Sequence, residues 1–181
     1  AGRYVLRVEV VDAVGNDADS STYVEVNPIP TVHVSASGVV TDVGVPVSLN
    51  ASVQGGTPPY TYVWYLNGQP VGSSRGYAFN PASPGTYSLY VEAKDSAGYS
   101  ASSGVVDISV NPDPTVRICA SMKVTDVGVP VRLDASVQGG TPPYSYEWYV
   151  NGTPVSGSSN YTLYPSSQGT YSLHVVVTDY V

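Results

Sequence analysis

Gln54-Gly-Gly-Thr-Pro-Pro-Tyr-Thr-Tyr-Val-Trp-Tyr-Leu-Asn-Gly68 returns as Gln138-Gly-Gly-Thr-Pro-Pro-Tyr-Ser-Tyr-Glu-Trp-Tyr-Val-Asn-Gly152, 84 positions later. Each copy opens with turn-forming glycines and paired prolines and continues through a Tyr/Trp-rich stretch suited to a strand. It closes on Asn-Gly, where both residues accept the positive φ of a tight hairpin turn. The match extends outward: Thr41-Asp-Val-Gly-Val-Pro-Val47 returns at Thr125 and Gly85-Thr-Tyr-Ser-Leu89 at Gly169. Residues 30–94 and 114–178 agree at about 41 of 65 positions. A repeat of this kind decides the architecture before any local reading does.

The opening segment, Gly2-Arg-Tyr-Val-Leu-Arg-Val-Glu-Val-Val-Asp12, lines up with residues 85–95 and 169–179, and Asn27-Pro28 lines up with Asn111-Pro112. Three pieces follow. Residues 1–28 read as the last two strands of a truncated module, 29–112 as a complete module, and 113–181 as a module without its final strand. Two strands alone bury too little apolar surface to be stable, so two explanations compete. Either the chain is a window on a longer tandem array, or subunits lend strands to one another head to tail. The opening segment repeats a strand that the last module already has as well as the one it lacks. That redundancy favours the array, and strand exchange stays open.

Within the complete module, Val32, Val34 and Ala36 alternate with polar residues, as do Val45, Val47, Leu49, Ala51 and Val53. Further strands are expected at 60–66, 77–80, 86–94 and 105–110, with a turn at 95–98. With 18 Gly and 15 Pro in 181 residues, no stretch free of both exceeds 13 residues, which argues against long helices. Seven or so short strands per 84-residue period make an all-β chain of tandem β-sandwich modules. Trp64 and Trp148 sit mid-strand, where a sandwich wants one large ring bridging its sheets. Tyr4, Tyr87 and Tyr171, each two residues after a Gly, have the form of a tyrosine corner tied back to nearby backbone. All five are expected as structural core.

Lys and Arg number 7 against 14 Asp and Glu, a net charge of −7, so the basic surface that nucleic acid requires is missing. No run of apolar residues is long enough to cross a bilayer, so no membrane insertion is expected from this segment. Charged residues make up only 12 % of the chain, and the polar surface is mostly hydroxyl and amide, a profile common outside cells. A single cysteine, Cys119, leaves no intrachain disulfide. It falls in the outward phase of its strand, where an intermolecular disulfide or an inert thiol are the alternatives.

The run Val-Pro-Val-x-Leu-[Asn/Asp]-Ala-Ser, then Gly-Gly-Thr-Pro-Pro-Tyr-x-Tyr-x-Trp-Tyr, then Gly-Thr-Tyr-Ser-Leu-x-Val and Asp95-Ser-Ala-Gly98 resembles the PKD-like, immunoglobulin-like repeats of archaeal and bacterial cell-surface proteins. The resemblance covers essentially the whole chain. The stricter PKD pattern continues after its Trp with Asp-Phe-Gly-Asp-Gly, whereas these copies read Trp64-Tyr-Leu-Asn-Gly68 and Trp148-Tyr-Val-Asn-Gly152. The resemblance implies an extracellular or cell-surface location and a spacer, adhesion or shell role.

A repeated catalytic unit would carry its residues in both copies, and this one does not: His33 becomes Arg117, Tyr90 becomes His174 and Ser35 becomes Cys119. The chain reads as non-enzymatic, without a cofactor or a transition-metal site. Calcium remains a candidate at Asp12, Asp17 and Asp19, in the turn of the opening hairpin, against the alternative that an Asp opening a tight turn caps backbone N–H groups. Asp42 and Asp126, both in Thr-Asp-Val-Gly, take the capping reading. Asn50-Ala-Ser52, Asn151-Gly-Thr153 and Asn160-Tyr-Thr162 are sequons on expected outward positions. In a secreted protein so poor in charge, covalent glycans there would supply solubility. Tyr65 and Tyr149 should point away from the core, either as part of a sugar-stacking row or as ordinary strand residues packing on neighbours.

These readings converge on a structural component of an extracellular filament, stalk or surface layer. Its glycosylated Ig-like repeats would stack or polymerise with copies of themselves or with adjacent modules of one long chain. The proline-bearing linkers Asn27-Pro-Ile-Pro30 and Asn111-Pro-Asp-Pro114 lack flexible Gly/Ser and should hold a defined angle. The competing reading is an adhesin, or a carbohydrate-binding or spacer module of a larger secreted enzyme.

Overall fold

The computed structural model describes residues 1–181, which form strands and turns with no helix. Contacts divide the chain into two compact units interleaved in sequence. One comprises Ala1–Ser37, Ser48–Tyr77 and Ser88–Val106, and the other Gly38–Val47, Ala78–Tyr87 and Asp107–Val181.

The strands, in chain order, are β1 (Gly2–Val11), β2 (Asp17–Val26), β3 (Thr31–Ala36), β4 (Val40–Asp42), β5 (Val47–Gln54), β6 (Thr61–Leu66), β7 (Gln69–Gly72), β8 (Gly76–Phe79) and β9 (Gly85–Lys94). They continue with β10 (Ser100–Ser102), β11 (Val106–Asn111), β12 (Thr115–Ala120), β13 (Val131–Gln138), β14 (Ser145–Val150), β15 (Thr153–Ser156), β16 (Asn160–Leu163) and β17 (Leu173–Thr178).

In the first unit, β1 and β2 pair as a long antiparallel hairpin in register from Gly2↔Val26 to Val11↔Asp17. Every residue of both strands is exposed. Tyr4, expected as core, is 59 % exposed, because this two-stranded sheet has no facing layer to bury its ring. β3 and β5 pair with Val32 opposite Val53 and Val34 opposite Ala51, and β8 flanks β5. The alternation seen in β5 is realised: Leu49 and Ala51 are buried while Ser48, Asn50 and Ser52 face solvent. β9 pairs with β6, placing Trp64 opposite Val91, and also with β10. The hairpin joining β6 to β7 turns on Asn67 and Gly68, both at positive φ, as Asn-Gly requires.

Trp64 is fully buried, its indole N–H donating to the Ser74 carbonyl at 2.9 Å and its ring stacking on Tyr77. Trp148 is its counterpart in the second unit, also fully buried, with the same bond to Ser158 at 2.9 Å. In both, one end of the ring system is apolar and the single polar atom is satisfied.

In the second unit, β12-β13-β16 form one sheet and β15-β14-β17 another. A single core draws on both: Val131, Leu133 and Leu163 from the first sheet, Trp148 and Val175 from the second. Side chains from two sheets interdigitating in this way define a β-sandwich. Tyr87 and Tyr171 bond back to the carbonyls of Ser83 (2.9 Å) and Ser167 (3.1 Å), four residues upstream in each case. β4 pairs in parallel with β11, Val40 opposite Ser109 and Asp42 opposite Asn111. This strand was not legible as one, because three residues are too few to show an alternation and its partner lies far downstream.

Candidate functional site at the repeat junctions

The Gly-Gly-Thr-Pro-Pro-Tyr motif is a seat for the preceding linker. Gly56 N donates to the Pro28 carbonyl at 2.7 Å, and Gly140 N to the Pro112 carbonyl at the same distance. A Cβ on Gly55 would lie 2.7 Å from the Ile29 carbonyl oxygen, and one on Gly139 2.6 Å from that of Asp113. Both glycines also hold positive φ. The glycine pair therefore serves two needs at once, a left-handed turn and close backbone approach. Tyr60 and Tyr144 brace it through hydroxyl bonds to the carbonyls of Gly55 (2.6 Å) and Gly139 (2.7 Å).

The threonine that follows gathers the remaining groups. Asn27 Nδ2 donates to Thr57 Oγ1 at 3.2 Å, and Asn111 Nδ2 to Thr141 Oγ1 at 2.9 Å. Thr57 N donates to Asp95 Oδ2 at 2.9 Å, and Thr141 N to Asp179 Oδ2 at 3.2 Å. Asp95 also accepts from Tyr99 N at 2.8 Å. These bonds, Thr57 first, outweigh its desolvation and hold its carboxyl below the usual carboxylate range. The motif thus reads as a linker clamp only once Asn27, Asn111, Asp95 and Asp179 are seen around it. The spacing Asn-Pro to Gly-Gly-Thr, repeated in both copies, was the signal available in sequence.

At the second junction a further group enters. Thr141 Oγ1 donates to Asp42 Oδ1 at 2.7 Å, a buried bond between residues 99 positions apart. Asp42 is 4 % exposed, and the Asp179 carboxyl that perturbs it bonds to the amide of the same threonine. Burial first, then the neighbouring Asp179, push the Asp42 carboxyl above the usual range. The capping role expected of Asp42 gives way here to a tertiary contact, whereas Asp126, its copy, is exposed.

The other candidates fall in separate places. Asn50, Asn151 and Asn160 are all exposed: Asn50 within β5, Asn151 at the hairpin tip with φ 50°, and Asn160 as the first residue of β16. Asn151 Oδ1 accepts from Ser172 N at 2.8 Å, pinning that turn. Asp12 caps its own turn, accepting from Val14 N (2.9 Å) and Asn16 N (2.8 Å) through Oδ1 and from Asn16 Nδ2 (2.8 Å) through Oδ2. Asp19 instead pairs with Arg7 at 3.0 Å. The three acids of the proposed calcium cluster, Asp12, Asp17 and Asp19, are not gathered into a metal-holding group. Tyr65 stacks on Tyr90 with ring centroids 4.7 Å apart, and Tyr149 on His174 at 4.4 Å, so each outward tyrosine spends one face on its cross-strand neighbour. Cys119 is exposed. A cleft of about 700 Å³ in the second unit is lined by Met122, Val127, Leu133, Leu163, Tyr171 and Leu173 among others.

No protein-family model matches the sequence. The chain is 27 % identical over 192 residues to the muscle M-line assembly protein unc-89 of Caenorhabditis elegans, covering 96 % of this chain and 2 % of that protein. It is 28 % identical over 160 residues to the highly immunogenic outer capsid protein of Enterobacteria phage T4, covering 79 % of this chain and 41 % of that protein. The chain therefore spans less than half the length of either relative. Among solved structures, three N-terminal domains of the corresponding bacteriophage RB49 protein match with a TM-score of 0.55 at 21 % identity, covering 82 % of this chain and 54 % of that one. The N-terminal eight Ig domains of Down syndrome cell adhesion molecule match with a TM-score of 0.52 at 19 % identity, covering 94 % and 29 %. The fold is that of Ig-like β-sandwich domains.

Proposed function

We propose that this chain is a structural segment of an extracellular filament, stalk or surface layer, made of glycosylated Ig-like modules bounded at 1–28, 29–112 and 113–181. The observation that carries the reading is the linker clamp, built twice from the same residues with the same bonds at Gly55–Thr57 and Gly139–Thr141. A clamp that seats each linker by backbone and side chain resists bending at the junction, and equal resistant junctions are what a regular rod or lattice needs. The similarity to an outer capsid protein supports a surface location for this chain. The exposed sequons at Asn50, Asn151 and Asn160 support glycans as its solubilising coat.

The test is electron microscopy of the native material. A rod or lattice with a constant axial repeat per module supports the reading, and beads on flexible tethers would overturn it. A second reading, an adhesin or carbohydrate-binding appendage, draws on the Tyr65–Tyr90 and Tyr149–His174 ring pairs, present at the same place in both copies. Saturable binding of the 181-residue chain to a polysaccharide, lost in Tyr65→Ala and Tyr149→Ala, would favour it.

A further inference from the structure

We propose that the buried Asp42 carboxyl keeps its proton in the folded junction and, donating it toward the neighbouring Asp179, forms a latch that closes the second junction in acid and loosens it as pH rises. Asp42 is almost wholly buried, and its Oδ1 already accepts the Thr141 hydroxyl. The second carboxyl of the cluster, Asp179, is held on the same residue by Thr141 N. Two carboxylates cannot both carry charge in a desolvated site without mutual repulsion, but one carboxylic acid can donate to one carboxylate.

None of the residues that pair with, bond to or electrostatically perturb Asp42 carries a positive charge. β11 meets β4 through Ser109, Val110 and Asn111, all uncharged, and its own acid, Asp107, is exposed. The 139–144 loop contributes the neutral Thr141, whose hydroxyl also accepts from Asn111 Nδ2. The charged group facing Asp42 is Asp179. Because the folded junction raises the affinity of Asp42 for its proton, the stabilisation is complete below the value of an unfolded aspartate. It is lost as pH climbs through the raised folded value, when the proton leaves to solvent and the repulsion is unmasked. This inference does not depend on the filament reading, since it concerns one junction within this chain.

An NMR pH titration of the 181-residue chain tests it. The Asp42 carboxyl carbon should titrate above ordinary aspartates, with the Thr141 amide and Asn111 side-chain amide moving at the same midpoint. In Asp42→Asn, whose amide imitates the protonated acid, Thr141 should hold its low-pH position throughout. Should that variant fail to fold, Asp179→Asn, which keeps an acceptor for Thr141 N and offers a donor to Asp42, should give the same result. Titration of Asp42 in the ordinary range, or a Thr141 amide indifferent to it, overturns the proposal. So does recovery of the low-pH Thr141 position at neutral pH on adding calcium chloride, which would make a cation the neutralising partner.

Discussion

Asp42 and Asp95 are both buried aspartates beside a junction threonine, yet their environments drive them in opposite directions. Asp95 receives backbone N–H groups from Thr57 and Tyr99, which favour its charge, whereas the burial of Asp42 and then the acid it faces, Asp179, oppose its charge. Each junction threonine thus has a carboxylate on its amide, and at Thr141 a second acid is added on its hydroxyl.

From the Asp95 side follows an acid limb. A carboxyl held low by folding contributes stability that is present above the unfolded value and lost as pH falls through the folded one. Asp95→Asn should flatten the fall in thermal midpoint below about pH 4, the range in which free aspartates titrate. Melting curves across acid pH check this, and an unchanged acid limb would refute it.

The clamp glycines make a steric prediction. Gly139→Ala and Gly55→Ala place a methyl group against a linker carbonyl, in addition to a left-handed backbone that itself costs about 1–2 kcal/mol. Gly152→Ala has the same φ sign but nothing within 4 Å, so it isolates the conformational part. Urea unfolding should rank Gly139→Ala and Gly55→Ala well below Gly152→Ala, and equal losses would mean that the linker contact contributes nothing.

Trp64 and Trp148 each fill the centre of a sandwich with their indole N–H bonded. Replacing either with alanine should cost about 3–5 kcal/mol, measured by denaturant unfolding. A loss below 1 kcal/mol would show that the core closes without the ring.

For glycosylation, mass spectrometry of native material should find sugars on Asn50, Asn151 and Asn160. At Asn151 the sequon is best removed through Thr153→Val, since the asparagine itself holds a positive φ and caps Ser172. The recombinant Thr153→Val protein should match the parent's stability to within about 0.5 kcal/mol, as expected for a surface change. Native material with all three asparagines bare would remove glycans from the functional picture.

Periodicity carries furthest where the physics is local. The alternation in Val47–Gln54, the Asn67-Gly68 turn and the mid-strand tryptophans announce an all-β sandwich, because side-chain direction along a strand and φ at a turn are properties of a few adjacent residues. The 84-residue identity carries the same reading to the second copy without further argument. The partner of Asp42 is of another kind. An aspartate before Val-Gly has the same local chemistry at 42 and at 126, and one is buried against a threonine 99 residues away while the other faces solvent. Likewise Tyr4 shares its motif with Tyr87 and Tyr171, but is exposed because no second sheet covers it. Burial and long-range hydrogen bonds depend on what the folded chain brings alongside a residue, so identical motifs acquire different packing and roles only in three dimensions.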